Sequence, residues 1–185
     1  GASTGVHESQ SRFYENMIGR SRAWTELMWP VLTSNIPELA GREPREFFRA
    51  VNAVRRTPLR DEADELTYCL HIMLRFEIER AVMNGEMTVR DAPAVWNELT
   101  EKYLRCTVRS DAEGILQDPH WPAGQIGYFP TYALGTVYAA QLMERINESI
   151  DVGESMRMGD ISHVNDWMRE NIWRHGALYP PTELM

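Results

Sequence analysis

Apolar residues between Leu59 and Gly85 recur at helical spacing: Ala63, Leu66, Leu70, Leu74, Ile78 and Ala81 fall on one face. Cys69, Ile72, Met73, Phe76 and Val82 widen that face, which predicts a helix buried on most sides. What remains is a narrow polar line of Asp64, Tyr68, His71, Arg75 and Glu79, spaced so that all five stack on one side. Buried charges are costly unless paired, so this line should meet partners from neighbouring elements or face a cleft. The simpler reading is a satisfied ion-pair ladder. The sharper one is the wall of an active site, with Asp64, Tyr68 and His71 supporting it from behind rather than performing chemistry. Thr57-Pro58 is expected to launch the helix, and Asn84-Gly85 to close it with a left-handed cap.

The rest of the chain also reads as helix and loop. His7 to about Trp29 is one helical pattern, with Pro30 disfavouring continuation. Glu8, Arg12 and Glu15 share a face there, a common arrangement for a solvated ion-pair triplet. Pro44 opens a short amphipathic helix carrying Phe47, Phe48 and Val51. Asp91 and Pro93 open another, through Trp96, Leu99 and Leu104. Residues 107–127 form a long connection with the polar and aromatic cluster Gln117-Asp118-Pro119-His120-Trp121, expected to be ordered and buried. A helix follows from about Pro130 to Ser149, in which Ala133, Gly135, Ala139 and Ala140 allow close packing. Gly153 to Gly159 reads as a loop, and a last long helix runs through Val164, Trp167, Met168 and Ile172. Strand-type alternation and internal repeats are missing, so the fold class is all-α, in a single domain over residues 1–185.

Composition narrows the function. A net charge of −8 argues against non-specific binding to nucleic acid or to an anionic membrane. No apolar run is long enough to span a bilayer, and GASTGVHESQ is no signal-peptide pattern. Two cysteines, Cys69 and Cys106, do not make a disulfide framework, and a reducing, cytoplasmic setting is expected.

The segments HESQSRFYENMIGRSRA, LRDEADELTYCLHIMLRFEIE, GILQDPHW and GYFPTYALG together resemble the thermostable carboxypeptidase Taq family of zinc metallocarboxypeptidases. The likeness runs from Gly5 to Pro181. It implies a mostly helical, saddle-like gluzincin fold, cytoplasmic homodimers, and release of C-terminal amino acids from peptides. On the family's motifs, Glu8 of His7-Glu8-Ser9-Gln10 would be a zinc ligand, cobalt being a possible substitute. Arg60 would hold the substrate's terminal carboxylate through its planar fork. His120, Tyr128 and Tyr132 resemble the donors that related enzymes aim at the tetrahedral oxyanion, with Tyr132 favoured over Tyr128.

One departure is large. The family's HExxH motif, which supplies two histidine ligands and the general base, has no counterpart in these 185 residues. The expectation is therefore the C-terminal portion of a longer enzyme, inactive alone and binding no catalytic zinc by itself. The competing expectation is a non-catalytic helical binding or oligomerisation module that keeps the motif sequences without the chemistry.

Overall fold

The computed structural model describes residues 2–185, among which every regular element is helical. Besides short 3-10 turns at Pro37–Leu39, Arg60–Glu62 and Trp173–His175, these are in chain order α1 (Thr4–Arg12), a π-helical segment (Phe13–Gly19), α2 (Arg22–Asn35), α3 (Pro44–Val51), α4 (Glu65–Met83), α5 (Ala92–Leu104), α6 (Pro130–Asn147), α7 (Val152–Arg157), α8 (Ser162–Asn171) and α9 (Pro181–Leu184). The contacts divide the chain into two compact units. One comprises Gly1–Ala53 with Leu134–Met185, the other Val54–Ala133, so the division falls inside α6.

In the first unit, Val6, Phe13, Ile18 and Ala23 meet Ala139, Leu142 and Ile146 of α6 and Val164 and Met168 of α8 in one apolar core. The single helix expected from His7 to Trp29 is broken into three pieces. Ser3 caps α1 by accepting from Val6 N–H. The π segment then shifts the register by its wider turns. Ser21 starts α2 by accepting from Trp24 N–H at 3.1 Å. Pro30 does not end α2, which continues to Asn35. Pro30 and its neighbours Leu27 and Val31 are exposed, so water can reach the backbone carbonyl that loses its donor. Residues 153–159 are not wholly loop either. Asp151 accepts from Glu154 N–H and caps the short helix α7, which buries Val152 and Met156.

In the second unit α4 starts later than Thr57-Pro58 suggests. Asp64 is its cap, accepting from Thr67 N–H at 2.9 Å, and Arg60–Glu62 form a separate 3-10 turn before it. Its end is as expected: Gly85 adopts φ +71°, and Glu86 N–H reaches back to Ala81 C=O at 2.8 Å. The burial of α4 is narrower on its apolar side than the expected helix enclosed on most sides, while its polar line is covered as its charges require. Leu66, Met73 and Phe76 are 73%, 46% and 47% exposed. Tyr68, His71, Arg75 and Glu79 are buried instead, alongside Ile72, Leu74 and Ile78. The reason lies in the loop after α5, which brings polar partners to the polar line. Leu74, Ile78, Ala92, Trp96 and Leu104 form the core between α4 and α5, and Trp121 packs against it.

Candidate active site

Most of the candidate residues lie in the second unit, around the Gln117–Trp121 loop. Asp118 is the hub. Arg60 donates to its Oδ1 from Nε at 2.8 Å, and Arg75 donates to its Oδ2 from Nε at 2.7 Å. Gln117 fixes the loop beside it: its Oε1 accepts from Arg60 N–H and from Arg75 Nη2, both at 2.8 Å. Its Nε2 donates to the carbonyls of Pro58 and Glu113. The turn carrying Arg60, the helix carrying Arg75 and the loop carrying Asp118 are thus pinned by two side chains. Arg75 is completely enclosed, donates to His71 C=O at 2.9 Å, and lies over the Trp96 ring at 4.5 Å.

The charges follow from these contacts. Burial alone would raise the Asp118 carboxyl, but Arg75 and Arg60 outweigh it and hold it below the usual carboxylate range. Burial pushes Arg75 down to about 10, which leaves it cationic at neutral pH. Burial opposes the charge on Arg60 as well, yet Asp118, Tyr68 and Asp61 more than offset it, so its guanidinium stays firmly protonated.

Beside this hub stands an aromatic group. His120 Nε2 is 2.8 Å from Tyr132 OH. The Tyr128 ring lies 5.7 Å from the His120 ring and 5.5 Å from the Tyr132 ring. The Arg60 guanidinium sits 5.2 Å over the Tyr132 ring and donates from Nη1 to Tyr68 OH at 3.0 Å. Pro130 opens α6, so Tyr132 stands in the first turn of a helix, on a rigid support. His120 is held neutral, with burial as the main cause and the nearby arginines adding to it. Arg60, Tyr68, His120, Tyr128 and Tyr132 therefore converge in one unit. Asp64 instead caps α4 and accepts from Arg55 N–H at 2.9 Å.

His71 is enclosed at 0% exposure, and neither ring nitrogen has a hydrogen-bond partner among the described residues. Burial, then Arg75 and Arg60, push its pKa down to about 4. A histidine buried neutral stabilises the fold above its unfolded value near ~6.5, and that contribution disappears as pH falls towards about 4. The span is worth on the order of 3 kcal/mol. His71→Leu is expected to remove much of the acid sensitivity between those limits, since the group that must take up a proton on unfolding is gone. Urea unfolding at pH 7 and pH 4.5 checks this. Equal losses of stability on acidification in both proteins would show that His71 is not the group responsible.

Glu8 belongs to the first unit. Its side chain is mostly buried, and Arg12 Nε lies 4.0 Å from Oε1. The ion-pair triplet expected there is loose: Arg12 is 3.9 Å from Glu15, and Glu15 pairs more closely with Arg20 at 3.0 Å. What holds Glu8 is packing. A Cβ at Gly135 of α6 would come within 2.7 Å of Glu8 Cγ and 3.1 Å of its backbone carbon, so only glycine lets α6 approach this closely. As a metal donor Glu8 fits as one carboxylate. Among the described residues no three His, Cys, Asp or Glu side chains converge on a metal position.

Sequence reasoning named Arg60, His120 and the tyrosines and put Arg75 on a polar line in need of partners, but gave no role to Asp118 or Gln117. The available signal was an arginine on the polar side of a core helix, which demands a carboxylate from elsewhere.

Among the described residues the regular elements are all helical, and a buried arginine–carboxylate hub stands beside a histidine–tyrosine pair, which defines a class of helical proteins with a buried polar wall. The comparisons sharpen the class: the chain belongs to the carboxypeptidase Taq (M32) metallopeptidase family, whose pattern matches residues 1–185. It is 45% identical over 186 residues to thermostable carboxypeptidase 1 of Pyrococcus furiosus, covering 100% of this chain and 37% of that protein. It is 42% identical over 187 residues to carboxypeptidase 1 of Bacillus subtilis, again 100% and 37%. A solved carboxypeptidase structure from Pyrococcus furiosus superposes with a TM-score of 0.95 at 45% identity, over 100% of this chain and 37% of that one. The M32 carboxypeptidase of Deinococcus radiodurans gives a TM-score of 0.93 at 42% identity, over 100% and 38%. The chain thus spans a little over a third of the length of these relatives.

Proposed function

We propose that residues 1–185 are part of one helical domain of a larger metallocarboxypeptidase, which releases C-terminal amino acids from peptides. Support comes above all from Arg60. It is a firmly protonated guanidinium at the edge of a buried hub, held at a fixed angle by Asp118 and Tyr68. A planar fork fixed in this way suits a substrate's terminal carboxylate. His120 and Tyr132, coupled at 2.8 Å, would donate to the oxygen that gains negative charge as the peptide bond is attacked, with Tyr128 behind them. Tyr68 and His71 would support this wall, and Asp64 would fix the start of α4.

Glu8 would serve as one metal ligand, zinc being the best match to carboxylate and histidine donors and cobalt an alternative. When bound, the metal would polarise the scissile carbonyl and activate water. With one such donor, these residues alone are proposed to bind no catalytic metal and to be inactive. A cytoplasmic homodimer is proposed from the family likeness; among the described residues no helix is long and apolar enough to cross a membrane. In the complete enzyme, Arg60→Ala should raise KM about 10- to 100-fold for peptides with a free C-terminus, with a smaller change in kcat. An unchanged KM would refute the role of Arg60.

A further inference from the structure

Arg60 has five N–H donors, and its three nitrogens face different partners. Nε and Nη2 reach Asp118 Oδ1, both at 2.8 Å, and Nη1 reaches Tyr68 OH at 3.0 Å. Nη2 also pairs with Asp61 Oδ1 at 2.7 Å. These partners are not alike. Asp118 and Tyr68 are buried, so neither can readily exchange its bond to Arg60 for one to water. The Asp61 side chain is 81% exposed. It alone can swing into water and be fully solvated there.

We propose that Asp61 is a self-mask on Arg60: its carboxylate occupies the donor that a substrate's terminal carboxylate needs, and it must leave when substrate binds. The proposal rests on the carboxylate-binding role given to Arg60. Charge balance supports the exchange. Arg60, Arg75 and Asp118 together carry one net positive charge, which Asp61 neutralises. An incoming monocarboxylate restores the same balance once Asp61 has turned away. Asp61 therefore lowers apparent affinity for peptides with a free C-terminus and for stray anions by the same factor, the fraction of molecules in which it has turned away. An exposed ion pair is a weak lock, so the mask is set to open easily.

The test is steady-state kinetics of the complete, metal-loaded enzyme on a peptide with a free C-terminus, comparing wild type, Asp61→Asn, Arg60→Gln and the double variant. Asp61→Asn should lower KM about two- to five-fold, in proportion to the small worth of an exposed pair. In the Arg60→Gln background the same change should do nothing, because the mask has lost what it covers. A KM that is unchanged or raised in Asp61→Asn overturns the proposal, the raised value marking Asp61 as a support for Arg60. An equal fall in both backgrounds also overturns it, since that is a general field effect. If Arg60→Gln alone leaves KM untouched, the carboxylate-binding role itself has failed. Asp61 lies at the surface, so its variants keep the fold and the comparison can be made even where Arg60→Gln is poorly stable.

Discussion

Asp118→Ala should destabilise the protein by about 3–5 kcal/mol, the usual cost of leaving a buried charge without its partner. Among the described residues Asp118 is the one carboxylate paired with Arg75, whose side chain is completely enclosed, and it also anchors Arg60. Removing it leaves Arg75 with Gln117, the His71 carbonyl and an aromatic face, and Arg60 with Tyr68 and the exposed Asp61, so the enclosed Arg75 charge loses its carboxylate. Asp118→Asn should recover part of the loss by keeping one acceptor. Arg75→Met added to Asp118→Ala should also recover part, because the stranded charge is then gone. Chemical denaturation of the four proteins gives the answer. A loss below about 1 kcal/mol in Asp118→Ala would mean that the hub is incidental to the fold.

The second large effect is on turnover. Attack on a peptide carbonyl builds negative charge on its oxygen, and a preorganised donor stabilises that charge without reorganising. Tyr132 is the better placed tyrosine. It stands in the first turn of α6, its hydroxyl is 2.8 Å from His120 Nε2, and Arg60 lies over its ring. Tyr128 touches the same group only through ring contacts at 5.5–5.7 Å. In the complete enzyme Tyr132→Phe should lower kcat about 100- to 1000-fold and leave metal content unchanged. Tyr128→Phe should cost far less. A large loss in Tyr128→Phe beside near wild-type turnover in Tyr132→Phe would reverse the assignment, and full turnover in both would end the oxyanion role of this motif.

How far the sequence reveals the molecule depends on whether a property is local. Helix ends set by one or two residues were legible: Gly85 adopts the left-handed cap expected of Asn84-Gly85, and Pro44 and Pro93 open helices. The close approach of α6, expected from its small residues, is realised where Gly135 meets Glu8. The π-helical turn after Arg12 was not legible, because a register shift leaves the apolar spacing of Phe13, Met17 and Trp24 looking helical. The polar line of α4 meets partners as its charges require, and Leu74 and Ile78 of the apolar face are buried; what spacing overestimates is the breadth of the burial, since Leu66, Met73 and Phe76 stay outside while a distant loop covers the polar side. Motif likeness pointed to Arg60, His120, Tyr128 and Tyr132, which lie together in the second unit; the hub of Asp118 and Gln117 depends on long-range pairing that spacing along the chain does not reveal.

The carboxypeptidase reading is tested most directly by the preference for a free C-terminus. The measurement is kcat/KM of the complete enzyme for one peptide ending in a carboxylate and the same peptide ending in an amide, in wild type and in Arg60→Ala. Wild type should prefer the carboxylate strongly, and Arg60→Ala should lose about 10- to 100-fold on that peptide while hardly changing on the amide. Equal losses on both peptides, or a preference that survives without Arg60, would contradict it.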